Sequence, residues 1–253
     1  MSIGSNLQHP YRLTAILAVA VLALGACATT SPEGAEFNDP YEPVNRSIHG
    51  LNKGLDTVVF RPASAVYGTV VPGPVRDKVT NFSYNLELPG QVINNVLQGR
   101  IDNSVHNTFR FMLNSTLGVL GLFDPATSFG LERRKTDFGE TLHVWGAGEG
   151  AYVAVPVFGP STQRDFAGDV VDYVLNPVSL VLVPPESYAT AAAWVGENAS
   201  YRYDFSDTVD ALLYESADSY AQARLIYLQN RRYELGDDGG DTYIDPYEDL
   251  YSE

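Results

Sequence analysis

Val44, Ile48, Leu51, Leu55 and Val58 follow Pro43 at helical spacing, so an apolar stripe runs along one side of a first predicted helix. Arg46, Lys53 and Asp56 lie away from that stripe. Pro43 suits a first helical turn, and Arg61-Pro62 predicts the end of the helix. A weaker segment reaches Val71 before Pro72-Gly73-Pro74 interrupts the chain. Val75, Val79, Phe82 and Leu86 make a second stripe, which Pro89-Gly90 should close. Val92, Ile93, Val96 and Leu97 predict a short third helix stopping at Gly99. Ile101, Val105, Phe109 and Met112 open a fourth, which turns apolar on nearly every side through Leu113, Leu117 and Leu120. A helix that loses its polar face is either buried or lipid-facing.

Beyond the turn at Asp124-Pro125, residues 137–145 predict a short helix and residues 146–150 a glycine-rich joint. Residues 152–158 are continuously apolar and broken by Pro156, which fits an edge strand or a buried extended segment. Residues 163–175 read as helix, and 176–183 as an apolar stretch ahead of Pro184-Pro185. Further helices are predicted over 187–197, 206–214 and 216–235. The last gathers Ala217, Tyr220, Ala221, Leu228 and Leu235 on one face and stops at Gly236. The pattern predicts a mainly α, single body of short amphipathic helices with little β structure. Recurrent alternating strands of the kind a β-barrel porin needs are absent. Two packings satisfy this periodicity equally: helices lying in a bilayer leaflet, or a soluble domain whose stripes meet in one core.

The N-terminus changes that picture. Residues 13–26 form a nearly unbroken apolar run of fourteen, the length of a signal-peptide core and short of the roughly 20 a spanning helix needs. The run ends Leu24-Gly25-Ala26-Cys27, with the single cysteine of the chain after small residues, which resembles a bacterial lipobox. Residues 1–26 are therefore expected to be a lipoprotein signal peptide, with Cys27 the lipidated residue. Residues 27–38 would be a lipidated linker, 39–235 the helical domain and 236–253 an acidic disordered tail. Several acyl chains give durable anchoring where one gives only marginal binding. Ala28 after Cys27, by resemblance to the usual sorting pattern, favours the outer membrane.

Composition narrows the chemistry further. The formal charge of −15 and the lack of any long basic run argue against nucleic acid. One cysteine and four histidines leave no multi-cysteine metal site and little imidazole for acid–base work. No Gly-x-Ser-x-Gly elbow is present, and His49, His106 and His143 read as structural or surface residues. Asp165, Asp169 and Asp172 share one helix face, read as a solvated acidic face; neither a metal nor a cofactor is expected. Gly146-x-Gly148-x-Gly150 lacks the strand and helix of a dinucleotide loop and reads instead as a pliable joint, with Gly146 and Gly148 the candidate hinge. Arg224 and Arg231 near the last helix's apolar face are read as snorkelling or pairing with acids, with a cationic rim for headgroups as the functional alternative.

Several segments, taken in order, resemble the MlaA (VacJ) family of outer-membrane lipoproteins. They include Asn38-Asp39-Pro40-Tyr41-Glu42-Pro43-Val44-Asn45-Arg46, Phe60-Arg61-Pro62, Asn81-Phe82-Ser83-Tyr84-Asn85-Leu86-Glu87-Leu88-Pro89 and Leu97-Gln98-Gly99. Phe109-Arg110-Phe111-Met112-Leu113-Asn114, Asp137-Phe138-Gly139-Glu140-Thr141-Leu142 and Val155-Pro156-Val157-Phe158-Gly159-Pro160 continue the series. The resemblance implies a ring-like, membrane-embedded body in the inner leaflet with an amphipathic channel. It implies a periplasm-facing outer-membrane lipoprotein, not an enzyme, that removes mislocalised phospholipids from the outer leaflet. Its implied partners are phospholipids, a trimeric porin and the periplasmic carrier MlaC. Within that frame Leu117, Gly118, Leu120 and Gly121 are expected to flank the passage. The rival readings are a scaffold lipoprotein that binds another envelope protein without a lipid path, and a lipid hydrolase.

Overall fold

The computed structural model describes residues 37–182, 184 and 187–236. Helix α1 (Glu42–Leu55) passes through a π turn (Asp56–Phe60) into α2 (Arg61–Val70). Helix α3 spans Gly73–Leu97 and α4 Ile101–Thr116. Short helices α5 (Pro125–Ser128) and α6 (Phe138–Val144) precede a hairpin of β1 (Tyr152–Val155) and β2 (Gly159–Thr162). Helices α7 (Gln163–Leu175), α8 (Pro177–Val181), α9 (Ser187–Asp204) and α10 (Ser206–Asp210) follow. A second π turn (Ala211–Glu215) leads to α11 (Ser219–Leu235). The molecule is mainly α, as the pattern predicts, and its strands pair antiparallel from Tyr152↔Thr162 to Val155↔Gly159.

Two predicted breaks are corrected. Arg61-Pro62 does not end the first helix: Pro62 enters the first turn of α2, and the wider π turn before it absorbs the carbonyl a proline ring would strike. Pro89-Gly90 does not close the second stripe either, because α3 continues through Pro89 to Leu97. Leu88 on one side of the proline and Gln91, Asn94 and Asn95 on the other are all buried, so packing on both halves outweighs one lost backbone bond. The last helix begins at Ser219, three residues later than the sequence suggests, where the Asp218 carboxylate accepts from the Tyr220 and Ala221 N–H groups. Gly236 stops it in the left-handed conformation, φ 72°.

Phe37 and Asn38, placed in the linker by composition, pack with the body: Phe37 lies against the Tyr152–Tyr220–Leu228 cluster, and Asn38 donates to the Gly150 carbonyl at 3.0 Å. The signal peptide, Cys27 and the acidic tail beyond Gly236 lie outside the described residues.

Candidate functional site

The predicted apolar stripes do not meet in a common core. On α1 and the turn after it, Val44, Leu51 and Val58 are exposed, Val58 to 75%. The buried side of α1 is polar. Asn45 bonds the Tyr152 carbonyl and the Ala154 N–H, and one heptad on Asn52 does the same with the Val155 carbonyl and the Val157 N–H. Each carboxamide thus serves as both donor and acceptor to the backbone of β1 and the turn that follows it. On α4, Ile101, Val105, Phe109 and Met112 all face outward, Phe109 at 54%, while Ser104, Asn107, Arg110 and Asn114 are buried. On α3, Val75, Ile93 and Val96 are exposed and Ser83, Asn85, Gln91, Asn94 and Asn95 are inside.

These helices invert the order of a water-soluble protein, in which amphipathic helices turn their apolar stripe to the core. Moving a half-exposed Val, Ile or Phe side chain from water into hydrocarbon gains roughly 1 kcal/mol, about half the value for full burial. Repeated along three helices, that gain favours a lipid environment for this face. Next to it, Val58, Val59, Pro62, Ala63, Val66, Tyr67, Val70 and Val71 line an apolar groove of about 660 Å³. No helix among the described residues is long and apolar enough to cross a membrane.

Hydrogen bonds hold much of the polar interior. Arg110, with no exposed surface, donates two bonds to the Asp124 carboxylate at 3.0 and 2.9 Å and further bonds to Thr127 Oγ1 and the Leu131 carbonyl. Asn114 donates to the same carboxylate at 2.9 Å and accepts from the Ala126 N–H. Burial would push the Asp124 carboxyl up, but Thr127, Asn114 and Arg110 together hold it below the ordinary range. This bracket anchors both ends of the loop 117–123.

That loop contains all four residues predicted to flank a passage, and the structure divides them. Gly118 and Gly121 are buried hinge-pin positions: an added Cβ would meet the Phe123 carbonyl oxygen at 2.3 Å and Asn85 Cβ at 2.4 Å. Leu117 and Leu120 are exposed, together with Val119, Leu122 and Phe123. Val119 and Leu120 adopt left-handed backbone (φ 53° and 59°), costly for a branched or bulky residue. Asn85 accounts for their persistence, donating to Ser115 Oγ and to the Leu120 carbonyl. An apolar loop is thus held outward in a strained form by a buried polar wall. The predicted continuation of α4 as an all-apolar helix is corrected accordingly: it ends at Thr116.

Gly146 and Gly148 lie between α6 and β1, where an added Cβ at either would meet open space. Gly146 holds φ 89°, while Gly148 does not need a positive φ. Trp145, just before them, is exposed and anchored by its Nε1–H to the Leu97 carbonyl at 3.1 Å.

The acidic face of α7 is corrected. Asp165 is buried and takes bonds from Tyr227, Thr162 and Arg231, and Asp172 accepts from the Phe138 N–H and from Asn94; only Asp169 is exposed. The periodicity shows that three carboxylates share a face but not that α6 and α11 cover it. No cluster of metal-ligand type forms among the described residues. Arg224 and Arg231 pair internally, with Asp39 and with Asp137 and Asp165, so the rim reading of these arginines gives way to the pairing one. His49 Nε2 lies 3.0 Å from Ser219 Oγ, but the neighbouring Asp218 is bonded to Arg46 and to the start of α11, so no carboxylate among the described residues orients the imidazole by a hydrogen bond.

Comparison with known proteins places this geometry. The MlaA lipoprotein family matches residues 37–234. The chain is 35% identical to the intermembrane phospholipid transport system lipoprotein MlaA of Shigella flexneri, covering 91% of this chain and 90% of that protein. It is 33% identical to the protein of that name from Escherichia coli strain K12, with the same coverages. A solved structure from work on the structural basis for maintenance of bacterial outer membrane lipid asymmetry superposes with a TM-score of 0.68 at 32% identity, covering 78% of this chain and 98% of that one.

Proposed function

Since the chain belongs to the MlaA lipoprotein family, we propose that it is an outer-membrane lipoprotein that removes phospholipids from the outer leaflet and passes them to a periplasmic carrier. The observation that carries this reading is the inversion of α1, α3 and α4, with apolar stripes outward and carboxamides, hydroxyls and Arg110 within. A headgroup crossing hydrocarbon loses water at a cost of several kcal/mol. A body that is apolar outside and polar inside lowers that cost while the acyl tails remain in an apolar environment. The proposed shape is a ring in the inner leaflet, anchored through Cys27, with a trimeric porin and an MlaC-type carrier as partners. No bond is made or broken in such a transfer.

The exposed loop residues Leu117 and Leu120 would flank the passage, with Gly118 and Gly121 setting the loop's path. Gly146 and Gly148 would be the joint about which α6 shifts relative to the hairpin. Gly148→Val meets open space and ordinary backbone, so it should leave the melting temperature unchanged while slowing lipid removal; unaltered removal would count against the joint.

The test of the whole reading measures surface-exposed phospholipid in a deletion strain complemented with the wild-type protein or with Cys27→Ser. The wild-type protein should restore the parental level and Cys27→Ser should not. No rise on deletion would remove the proposal.

A further inference from the structure

On the inner face of α3, Tyr84, Glu87 and Gln91 follow one another on successive turns. Tyr84 is 1% exposed, and three cations surround its ring: Arg133 at 4.6 Å, Arg110 at 5.6 Å and Lys135 at 5.8 Å from the centroid. Arg110 is neutralised by Asp124. Arg133 donates to Asn81 and reaches Asp124 only at 3.7 Å. Lys135 makes neither a hydrogen bond nor an ion pair among the described residues; the Tyr84 ring is its partner. Arg133 and Lys135 belong to the run Arg133-Arg134-Lys135, whose middle member turns instead to Asn103.

Beside these cations stand two carboxyl groups with little to hold them. Glu197 of α9 is 5% exposed and makes no hydrogen bond or ion pair among the described residues. Glu87 receives one long bond, from Gln91 Nε2 at 3.4 Å. Burial, and then the Glu197 charge, push the Glu87 carboxyl up to about 7, against the pull of Lys135 and Arg133. Helices α3 and α9 bring the two together, Gly196 packing on Val79 with no room for a larger residue. A carboxylate with so few protein donors relies on water or a ligand to supply them. Helices α3 and α9 therefore offer acceptors with few protein donors, and at the surface beside them stands a cation with no protein anion among the described residues.

We propose that this is a headgroup-reading station, in which Lys135 and Arg133 take the phosphate and Glu87 with Glu197 take the primary ammonium of an ethanolamine-type zwitterionic headgroup. The proposal rests on the phospholipid-transport reading and deepens it by naming the substrate class. An ammonium supplies the hydrogen-bond donors that carboxylates require. A glycerol headgroup brings hydroxyls and no positive charge, and a trimethylammonium brings charge without donors. Lysine and arginine form charge-assisted bonds to phosphate in each case. Selectivity therefore resides in the acid pair and general affinity in the basic pair.

The experiment uses full-length lipidated protein, incubated with vesicles of equimolar phosphatidylethanolamine, phosphatidylglycerol and phosphatidylcholine and re-isolated. Bound lipid is then counted by class with mass spectrometry. The wild-type protein should enrich phosphatidylethanolamine over phosphatidylglycerol roughly tenfold, the effect of one or two charge-assisted bonds. Glu197→Gln should return that ratio to the vesicle's own while total bound lipid stays within roughly twofold. Lys135→Met should lower all three classes together. Glu87→Gln, which relieves the same repulsion from the other helix, repeats the test should Glu197→Gln fold poorly. Retained enrichment in both acid variants, or none in the wild-type protein, overturns the station while leaving transport standing. A wild-type protein that binds no phospholipid, with no surface phospholipid change on deletion, sinks the transport reading and this inference with it.

Discussion

The helices over residues 42–116 and the unit formed by the hairpin with α11 belong to one chain but are built by opposite rules. In the hairpin unit, Tyr152, Tyr220 and Leu228 form a buried cluster with Phe37 and Tyr227 packed against it. Tyr152 meets the Tyr220 and Tyr227 rings edge to face, at centroid distances of 5.9 and 6.5 Å. Charges lie around that cluster: Arg231 binds Asp137 with two bonds, and Arg232 binds Glu149 with two. This is the order a protein adopts in water. In α1, α3 and α4 the order is reversed, with apolar side chains outward and the stabilising contacts made by Asn45, Asn52, Asn85, Arg110 and Asn114. The difference supports the proposal that the two regions face different solvents, and it teaches that the inverted helices are specified by hydrogen bonds where hydrophobic burial does not specify them.

Four substitutions sharpen or break the contrast. Removing a polar residue should do most harm in the inverted helices. Arg110→Ala strips the mostly buried Asp124 carboxylate of its nearest cation, leaving only Arg133 at 3.7 Å, and should cost about 4 kcal/mol in denaturant unfolding from detergent micelles, the penalty for breaking a buried pair. A loss under about 1 kcal/mol would mean that water reaches the bracket freely. In the hairpin unit an apolar residue should matter most. Leu228→Ala opens a cavity in the aromatic cluster and should cost about 3 kcal/mol in the same measurement.

Third, Glu87→Gln tests the interior charge through pH. The folded chain keeps the Glu87 proton up to about pH 7, whereas the unfolded chain releases it in the ordinary carboxylate range. Between those limits the folded state binds more protons, so this group's contribution to stability falls as pH rises. The variant should therefore gain about 1–2 kcal/mol at about pH 8 and nothing at about pH 4, read from unfolding curves at the two values. Equal curves at both would remove the repulsion. The smallest effect on stability belongs to the outward stripe. Phe109→Ser should change unfolding in micelles by under about 0.5 kcal/mol, yet weaken partition into bilayers by roughly 1 kcal/mol, measured by vesicle flotation of protein lacking its acyl anchor.

How much of this was legible before the fold was seen follows from what periodicity can carry. The spacing of Ile101, Val105, Phe109 and Met112 locates α4, and residues 163–175 coincide with α7. Periodicity names a face but not the solvent it meets, so the inversion stayed open between lipid and a shared core. The complementary signal was present in Ser104, Asn107, Arg110 and Asn114 and in Asn45 and Asn52, small polar groups at helical spacing opposite each stripe. Such residues are unusual on a fully solvated helix face, where Lys and Glu dominate. Pro89 stays inside a helix because a proline's local cost is fixed, whereas the packing that outweighs it comes from residues far along the chain. The left-handed Val119 and Leu120 had no local signature, since their conformation is imposed by Asn85 from another helix. The same holds for the Glu87–Glu197 pair, whose members are separated by most of the fold.

The central claim, that the outward stripe meets hydrocarbon while α11 meets water, is tested most directly by collision measurements on nitroxide labels in reconstituted bilayers. Cys27 is the chain's single cysteine and is expected to carry the lipid, so a second cysteine can be labelled selectively. Labels at positions 105, 109 and 112 should collide mainly with dissolved oxygen, which concentrates in hydrocarbon. Labels at the exposed Gln222 and Gln229 of α11 should collide mainly with a water-soluble nickel chelate. Nickel collision at position 109 equal to that at position 222 would contradict the account.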